Sequence, residues 1–451
     1  MASFAVFMQQ VNLGIIGAGT VGGGVYQAIQ QNGGLMASRL GVRLEIVKIA
    51  TRDLRKPRPV QIPKPLLTSD WRSVVEDPRV QIVVELMGGT TTAREVTMRA
   101  LELGKPVVMA NKALLSAHGE ELFATAQNFG TNLYYEASVA GGIPIIKVLR
   151  EGLIGNRITR MYGIVNGTCN YILTRMKLEG ADFNDVLKDA QRLGFAEAEP
   201  SLDVDGHDAA HKTGILASLA HGFWVNPKHI HVEGIRGITK QDICFAAKLG
   251  YTIKLLGIVK RCEGSFAPKG KKANGPRIQV SVYPTLVPNA HVLASVNHVF
   301  NAIYVRGDVV GDTLYYGRGA GQDATASAVL SDLADAGLDL KCGSKSRVPP
   351  FVPHEREGAV LKIDEVVSRY YLRFDVIDRP GTLAKIATIL GSLKIGISSV
   401  IQPEGHEGES VPLIFMMHDA PNAAMDKALA RIAKLPVVKA APVKIRVESF
   451  E

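Results

Sequence analysis

The segment that most constrains the fold is "VNLGIIGAGTVGGGVYQAIQQN", near the start of the chain. Its first part is an apolar run typical of a buried strand, and its last part has the pattern of a helix. Between them, Gly17, Gly19 and Gly22 form a G-x-G-x-x-G pattern. Such glycines permit a tight turn, close approach of a pyrophosphate and close packing of the helix on the strand. The segment therefore predicts a dinucleotide-binding unit, with Thr20 and Val21 at the helix N-terminus.

Four further apolar runs alternate with helical stretches over the first third of the chain. In chain order they are "LEIVKIA", "VQIVVELMGG", "KPVVMANK" and "TNLYYEASVAGG". Unbroken β-branched runs that are separated by helices are typical of a parallel sheet buried on both faces. We therefore expect an α/β fold whose first domain, residues 1–137, is a doubly wound, Rossmann-type sheet.

The pattern changes after Gly142, and two further domains are predicted. Residues 138–319 mix strands with amphipathic helices and include the hairpin signal "NAIYVRGDVVGDTLYYG", so we expect a mixed α+β domain there. A helix at about 320–341 is expected to return to the first domain. A proline-rich linker at 342–364 precedes residues 365–451, where the order βαββαβ predicts a ferredoxin-like unit.

Composition and cysteine content favour a soluble protein of the cytoplasm. Hydrophobic residues make up 46% of the 451 residues and charged residues 21%, as in globular proteins. No apolar run reaches the length of a membrane span, and "MASFAVFMQQ" lacks the basic residues of a signal or transit peptide. The four cysteines are scattered without metal-type spacing, which is typical of free thiols in a reducing compartment.

The formal net charge of +9 raises the question of a polyanionic partner. The densest basic patches are "RDLRKPR" at 52–58 and "KGKK" at 269–272. Neither patch interleaves aromatic residues, and no helix carries a basic stripe, so we expect neither a nucleic acid nor a membrane as partner. An anionic small ligand accounts for the first patch, and a solvated loop accounts for the second.

The first basic patch bears on the choice of dinucleotide. An acid at the end of the second strand would bind a ribose 2′-hydroxyl, but Arg52 stands at that position. Arg55, Lys56 and Arg58 follow closely, and a guanidinium is well shaped to hold a 2′-phosphate. The pattern therefore favours NADP, while the adjacent Asp53 keeps NAD possible.

A lysine follows the fourth predicted strand, in "VVMANKALLS". Ligands of open α/β sheets bind at this edge, where Lys112 could act as a proton donor. The alternative is a surface lysine that begins a helix.

A second candidate site is the acidic stretch "GFAEAEPSLDVDGHDAAHK". Its acids are Glu197, Glu199, Asp203, Asp205 and Asp208. Because the end of the stretch reads as a helix, Asp208 and Lys212 lie on one face at i,i+4. Such a set suits a substrate with an ammonium and a small oxygen function. Helix capping alone would explain Asp205 and Asp203, but hardly Glu197.

"IVNGTCNYI" at 164–172, followed by this acidic stretch, resembles the paired signature segments of homoserine dehydrogenases. The order of "ELMGG", "ANK", "YEASVAGGIPI" and "YYGRGAG" is similar too, and "FDVIDRPGTLAKIA" resembles the start of an ACT regulatory domain. The resemblance covers nearly the whole chain. It implies NADP-linked interconversion of L-homoserine and L-aspartate 4-semialdehyde, in the pathway to threonine, methionine and isoleucine. No aspartate-kinase segment precedes the nucleotide domain, so a monofunctional enzyme is expected.

The resemblance also implies roles for individual residues. The acid/base positions are Lys112 and Lys212, and the substrate-binding positions are Glu197, Asp203, Asp208 and Thr168. The cofactor-binding positions are Gly17, Gly19, Thr20, Val21, Gly22, Arg52, Lys56, Gly88, Lys112, Ser138, Asn166, Gly167, Glu197 and Gly321. A loop for a monovalent cation, expected to be Na⁺, is formed by Glu136 and by the carbonyls of Val139, Gly141 and Ile143. The sequence departs from the family pattern at Glu199, where Asp is commoner, and at Ala324, where proline is frequent.

For the assembly, the resemblance and the lone βαββαβ unit imply a homodimer or homotetramer. An amino-acid effector is expected at the ACT unit, with threonine as the candidate because it is the pathway's end product. The unit could instead serve dimerisation only. Two other functions stay open from the sequence: a semialdehyde dehydrogenase that forms an acyl phosphate through Cys169, and an inactive amino-acid-sensing protein.

Overall fold

The computed structural model describes residues 8–262, 275–406 and 408–450, so the predicted solvated loop "KGKK" lies outside the described residues. The chain forms two compact units. Unit 1 comprises Met1–Thr159, Gly214–Pro227 and Asn301–Gly358, and unit 2 comprises Arg160–Thr213, Lys228–Phe300 and Ala359–Glu451. Within the described ranges, no helix combines the length and the apolar character needed to cross a membrane.

Unit 1 begins with a six-stranded parallel sheet. Its elements are β1 (Gln9–Ile16), α1 (Thr20–Leu40), β2 (Val42–Ala50), β3 (Leu67–Thr68), α2 (Arg72–Val75), β4 (Ile82–Glu85), α3 (Thr92–Glu102), β5 (Val107–Met109), α4 (Lys112–Asn128), β6 (Leu133–Tyr134) and α5 (Ile145–Lys147). The strand order is β3-β2-β1-β4-β5-β6, and every pair is parallel. This order confirms the predicted doubly wound sheet, whose ligand crevice lies where the order reverses, between β1 and β4.

Two strands differ from the sequence prediction. The strand β3 was not predicted, because two residues are too short to show a periodic pattern. The predicted fifth strand is shorter than expected: β6 ends at Tyr134, and Glu136–Ser138 forms a 3₁₀ turn. The turn is stabilised by Asp332, whose carboxylate accepts a hydrogen bond from the Glu136 N–H at 2.8 Å.

The middle of the chain contributes to both units. Its elements are β7 (Ile158–Ile164), α6 (Gly167–Glu179), α7 (Phe183–Arg192), α8 (Ser201–Val204), α9 (His207–His221), β8 (His231–Val232), α10 (Lys240–Lys248), β9 (Tyr251–Cys262), β10 (Arg277–Pro288), β11 (Phe300–Gly307), β12 (Gly311–Arg318) and α11 (Gln322–Lys341). The neighbouring strands β11 and β12 form the predicted hairpin. In unit 1, Val329 and Leu333 of α11 share a buried core with Val25 and Leu44, so this helix packs on the parallel sheet.

The C-terminal part of unit 2 has the predicted βαββαβ order. Its elements are β13 (Ala359–Val360), β14 (Val367–Ile377), α12 (Thr382–Ser392), β15 (Ile397–Ile401), β16 (Ser410–Met417), β17 (Ala420–Pro421), α13 (Asn422–Ile432) and β18 (Val443–Val447). The order of the larger strands is β18-β14-β16-β15, a ferredoxin-like arrangement. β18 also pairs in parallel with β10, so this sheet continues into the strands β10, β9 and β7.

The proline-rich segment after α11 lies along unit 1. The Tyr135 hydroxyl donates a hydrogen bond to the Pro350 carbonyl at 2.6 Å. The ring of Phe351 lies 5.5 Å from that of Phe123 and 5.7 Å from that of Trp224. This part of the predicted linker is therefore packed within unit 1.

Candidate active site

The glycine-rich turn of unit 1 has the geometry of a pyrophosphate-binding loop. Gly17 has a φ of 111°, and a Cβ there would lie 2.6 Å from the Leu86 carbonyl oxygen. A Cβ at Gly22 would lie 1.9 Å from the Gly17 carbonyl oxygen, so helix and turn touch backbone to backbone. Gly19 precedes α1 in open space, and the first turn of this helix carries no acid. The first N–H groups of α1, at Thr20 and Val21, are therefore accessible to an anion.

The next loop at the same sheet edge is organised by a buried acid. Glu85, at the end of β4, is fully buried, and burial raises the pKa of its carboxyl group. Its carboxylate accepts hydrogen bonds from the N–H groups of Met87 at 2.8 Å and Gly88 at 3.4 Å. Glu85 thus shapes the loop that carries Gly88, a predicted cofactor-binding residue. Sequence reasoning missed this role, although an acid ending an apolar strand was visible in "VVELMGG".

Lys112 is the first residue of α4 and lies just beyond the carboxyl end of β5. Asn111 caps the helix by accepting a hydrogen bond from the Leu114 N–H at 3.1 Å, and it donates one to the Gly89 carbonyl at 2.7 Å. These bonds fix the start of α4 relative to the loop after β4. The partly buried Lys112 therefore lies at the carboxyl edge of the sheet.

The loop after β2 presents the predicted basic residues to solvent. Arg52 and Lys56 are exposed. The carboxylate of Asp53 accepts a hydrogen bond from the Arg55 N–H at 2.8 Å, and the Asp53 carbonyl accepts one from the Arg58 guanidinium at 2.7 Å. The acid next to Arg52 is thus engaged within its own loop.

Unit 2 contains a group of buried and partly buried polar side chains, which we call the α6–α9 cluster. It consists of Asn166, Thr168, Asp203, Asp208 and Lys212. The Asn166 amide donates hydrogen bonds to Asp203 at 2.7 Å and to Asp208 at 3.0 Å. The Thr168 hydroxyl donates a hydrogen bond to the Phe195 carbonyl at 2.7 Å and also lies 3.3 Å from the second oxygen of Asp203. The structure therefore brings together five predicted site residues, which lie on three helices or directly before them.

The charges of the cluster are unusual for a protein interior. The Lys212 ammonium donates hydrogen bonds to Asp208 at 2.6 Å and to the Val165 carbonyl at 2.8 Å. The side chains of Lys212 and Asp208 are only 11% and 6% exposed. Burial raises the pKa of Asp203, and the nearby negative charge of Asp208 raises it further. A carboxyl group with this environment gains from a cationic ligand, since a positive charge favours its ionised form.

The other acids of the stretch have different surroundings. Asp205 is paired with Arg236 at 2.5 Å, and this bond lowers the pKa of Asp205. Glu199 accepts a hydrogen bond from the Ser201 N–H at 3.1 Å, at the start of α8. The side chain of Glu197 is exposed, and the structure does not bring it into the α6–α9 cluster. Two of the five acids thus join the cluster, and two stabilise the local chain.

Gly167 and Gly321 lie at helix starts. Gly167 begins α6, and a Cβ there would lie 2.9 Å from the Val299 carbonyl oxygen within unit 2. Gly321 precedes α11 with a φ of 112° and open space at its Cβ position. Both positions therefore suit glycine, the first for close packing and the second for its backbone conformation.

The predicted cation loop lies within unit 1. The Glu136 carboxylate accepts hydrogen bonds from the N–H groups of Ile146 at 2.9 Å and Lys147 at 2.8 Å, and burial raises its pKa to about 7. Ala140 and Gly141 have φ values of 56° and 51°, which turn successive carbonyls of the loop. No group of three or more acids, histidines or cysteines suited to a metal occurs among the described residues.

Two further predicted residues of this region, Ser138 and Ile143, are buried. The Ser138 hydroxyl donates a hydrogen bond to the Tyr135 carbonyl at 2.5 Å, and the Ile143 N–H donates one to the Ala140 carbonyl at 3.0 Å. Val139 is buried as well. These contacts hold the loop in one conformation.

Cys169 is unsuited to act as a nucleophile. It is fully buried, and its thiol donates a hydrogen bond to the Asp203 carbonyl at 3.2 Å. Burial raises its pKa well above the usual range, and the charges of Asp203 and Asp208 act in the same direction. Because the thiolate is the reactive form, this environment counts against an acyl-enzyme mechanism.

Comparison with known proteins identifies the family. Residues 17–136 match the NAD-binding domain of homoserine dehydrogenase, and residues 144–334 match the homoserine dehydrogenase domain. Homoserine dehydrogenase of Pseudomonas aeruginosa is 43% identical, over 98% of this chain and 100% of the relative. The crystal structure of a homoserine dehydrogenase from Thiobacillus denitrificans is 42% identical, with a TM-score of 0.90 over 98% of this chain and 99% of that one.

A more distant solved structure bears on the cofactor. It is a hyperthermophilic archaeal homoserine dehydrogenase in complex with NADPH, 28% identical, with a TM-score of 0.60 over 73% of this chain and 98% of that one. The family models and the near-complete coverage of the relatives agree with the geometry of the glycine-rich turn. The chain therefore belongs to the homoserine dehydrogenase family of NAD(P)-dependent oxidoreductases.

Proposed function

We propose that the chain interconverts L-homoserine and L-aspartate 4-semialdehyde with NADP(H), in the pathway to threonine, methionine and isoleucine. The observation that carries the proposal is the α6–α9 cluster: one buried and one partly buried carboxylate, one buried lysine and two neutral hydrogen-bonding groups. Both substrates carry an ammonium, a carboxylate and a terminal oxygen function. The cluster offers side chains of opposite charge and hydrogen-bonding groups for them.

The acids of the cluster would bind the substrate ammonium. Asp203 is partly buried, and burial raises the pKa of its carboxyl group, so a positive charge beside it would favour the ionised form. An ammonium placed beside Asp203 and Asp208 would supply this charge. Asn166, the N-cap of α6, holds Asp203 in place through its amide, and the Thr168 hydroxyl lies beside it. Glu197 is proposed to contribute only if its segment moves, because its side chain is exposed here.

The lysines would manage the proton at the terminal oxygen. When bound, the nicotinamide supplies or accepts the hydride at the terminal carbon. Two of the three N–H groups of Lys212 are engaged by Asp208 and Val165, which leaves the third for the substrate oxygen. Lys112 is the preferred proton carrier, since Lys212 is already engaged in an ion pair with Asp208. Positioned acid/base catalysis of this kind contributes about 10²–10⁴-fold in rate.

For the cofactor, NADP is favoured over NAD. The guanidinium of Arg52 is exposed where a 2′-phosphate would lie, with Lys56 nearby, while Asp53 is engaged by the Arg55 N–H. The pyrophosphate would lie on the N-terminus of α1. Gly88, Ser138, Asn166, Gly167 and Gly321 are proposed to contact other parts of the cofactor.

A monovalent cation, expected to be Na⁺, is proposed for the loop after β6. The turned carbonyls at Ala140 and Gly141 and the nearby buried Glu136 fit a weakly charged ion better than a transition metal, which prefers nitrogen and sulfur ligands. The cation would stabilise the loop through the carbonyls of Val139, Gly141 and Ile143. Titration of the rate with NaCl, KCl and choline chloride at constant ionic strength tests this role.

The C-terminal βαββαβ unit is proposed to be an ACT domain that binds an amino acid, with threonine as the candidate. Asp378, Arg379 and Gly381 form the turn before α12, and Gly381 has a φ of 86°.

The exposed side chains of Leu314 and Tyr316 on β12 support a homodimer or homotetramer. The four free thiols support a cytoplasmic location.

The proposed reaction is tested with aspartate 4-semialdehyde as the substrate. We expect NADPH oxidation that needs no phosphate and that forms homoserine. Reduction of NADP⁺ that depends on phosphate would instead indicate the acyl-phosphate-forming enzyme. No turnover in either direction would favour the amino-acid-sensing alternative.

A further inference from the structure

We propose that Arg236 is a positioning residue for the substrate: it holds α8 in place, and α8 carries Asp203 of the α6–α9 cluster. The proposal rests on the proposed function, because it takes the cluster as the substrate site. Arg236 lies 31 positions after Asp205 in the chain, and no sequence motif connects the two.

The contact is a fork that spans the short helix. The Arg236 guanidinium donates hydrogen bonds to both oxygens of Asp205, at 2.5 and 3.2 Å, and to the Ser201 hydroxyl at 2.9 Å. Ser201 is the first residue of α8, and Asp205 directly follows its last residue, Val204. One side chain therefore ties the two ends of α8 together.

The helix depends on such contacts because of its length. α8 has four residues, and a single helical turn is not stable by itself in water. Ile235 donates a backbone hydrogen bond to the Val204 carbonyl at 2.8 Å. A Cβ at Gly234 would lie 2.3 Å from that carbonyl oxygen, so the two backbones are in direct contact. Residues 233–236, which we call the clamp segment, thus hold the C-terminal end of α8.

The clamp segment is itself anchored in the sheet of unit 2. The Glu233 N–H donates a hydrogen bond to the Val282 carbonyl of β10 at 2.7 Å. The Glu233 carboxylate is paired with Arg446 of β18 at 2.9 Å, and Arg446 is fully buried. Because the clamp segment is anchored in this way, Arg236 can fix the position of α8.

The position of α8 matters because Asp203 lies on it, between the two residues that Arg236 binds. The oxygens of Asp203 lie 2.7 Å from the Asn166 amide and 3.3 Å from the Thr168 hydroxyl. Hydrogen bonds weaken steeply with distance and angle, so a shift of α8 by about 1 Å would break the second contact and weaken the first. Arg236 touches none of the cluster residues and would act on substrate binding through α8.

The test compares Arg236→Gln with a matched pair elsewhere. Arg94 and Glu121 in unit 1 form a similar two-pronged pair, with side chains 40% and 38% exposed, against 46% and 34% for Arg236 and Asp205. We expect Arg236→Gln to raise KM for homoserine at least five-fold and to change KM for NADP⁺ less than two-fold. Arg94→Gln should leave both constants within two-fold of the parent. Exchanging the charges, in Asp205→Arg/Arg236→Asp, should recover at least half of the loss.

Several outcomes would overturn the proposal. An unchanged KM for homoserine in Arg236→Gln, or parallel changes in both KM values, would make Arg236 a surface ion pair without this role. If Arg236→Gln fails to fold, the charge exchange and Arg236→Lys are tested instead. For them too, the change in KM for homoserine is compared with the change in KM for NADP⁺. Asp203→Asn separates this proposal from the function on which it rests. If Asp203→Asn leaves KM for homoserine unchanged, the substrate site is wrong; if only Arg236→Gln has no effect, the positioning role alone is wrong.

Discussion

The buried pair of Lys212 and Asp208 allows stability and catalysis to be separated by substitution. Lys212→Met keeps the volume of the side chain and removes its charge. Asp208 is then left in the interior without its ammonium partner, and the Val165 carbonyl loses its donor at 2.8 Å. The double variant Lys212→Met/Asp208→Asn removes both charges. The single variant should therefore be less stable than the double variant, while both should lose most of their activity.

The size of the effect follows from the burial of the pair. Removal of one partner from a buried ion pair costs about 3–5 kcal/mol, whereas removal of both is often nearly neutral. The Asn166 amide still donates to Asp208 at 3.0 Å in the single variant, so we expect the lower end, about 3 kcal/mol. The double variant should recover at least half of this loss. Both variants should lose about 10²–10⁴-fold in kcat, because the lysine is absent from each.

Urea unfolding followed by far-UV circular dichroism measures the stability difference. Tryptophan fluorescence is unsuitable, because Trp71 and Trp224 both belong to unit 1 while the pair belongs to unit 2. Equal destabilisation of the single and double variants would refute the interpretation of Lys212 and Asp208 as a coupled buried pair. Substantial activity in the double variant would refute its role in the reaction.

Three further predictions concern the cofactor, the second lysine and a buried charge. Arg52→Ala should raise KM for NADPH by about 10–100-fold, the value of one charged hydrogen bond to the 2′-phosphate, and leave KM for NADH nearly unchanged; equal effects on both cofactors would contradict the assignment. Lys112→Met should lower kcat by about 10²–10⁴-fold. The Kd of NADPH, measured by fluorescence titration, should change little. A near-normal kcat would make Lys112 a structural residue. Burial lowers the pKa of Lys254 to about 7, and the nearby charge of Lys177 acts in the same direction. The unfolded chain keeps this proton up to about pH 10.5. The free energy of unfolding should therefore rise by up to about 4 kcal/mol between pH 7 and pH 10.5. Urea unfolding of Lys254→Met should show a smaller rise over the same pH range.

Much of the fold was predictable from local patterns. The apolar runs and the glycine pattern around Gly17 predict the parallel sheet, and the period of the last segment predicts the βαββαβ order. The two-residue strand β3 was missed because its pairing with β2 depends on the rest of the sheet. The parallel pairing of β18 with β10 could not be predicted either, since it joins segments that are distant in sequence.

The candidate site shows the same limit at the level of single residues. Asp208 and Lys212 form the pair that helical spacing predicts. Asp203 and Asp205 lie two positions apart in one acidic stretch, yet Asp203 faces Asn166 while Asp205 faces Arg236. The pKa of Asp203 is raised, mainly by burial, and that of Asp205 is lowered by its ion pair. The packing of α8 distinguishes the two carboxylates physically. Residue type and spacing alone could not, although the family resemblance placed only Asp203 at a substrate-binding position.

We expect direct hydride transfer between the nicotinamide and the terminal carbon of the amino acid. NADPH that carries deuterium at the transferred position of C4, incubated with the enzyme and L-aspartate 4-semialdehyde, tests it in one reaction. We predict L-homoserine with one deuterium at C4, identified by NMR and mass spectrometry, in the absence of phosphate. Homoserine without deuterium, or a phosphate-dependent acyl phosphate in place of homoserine, would contradict the account.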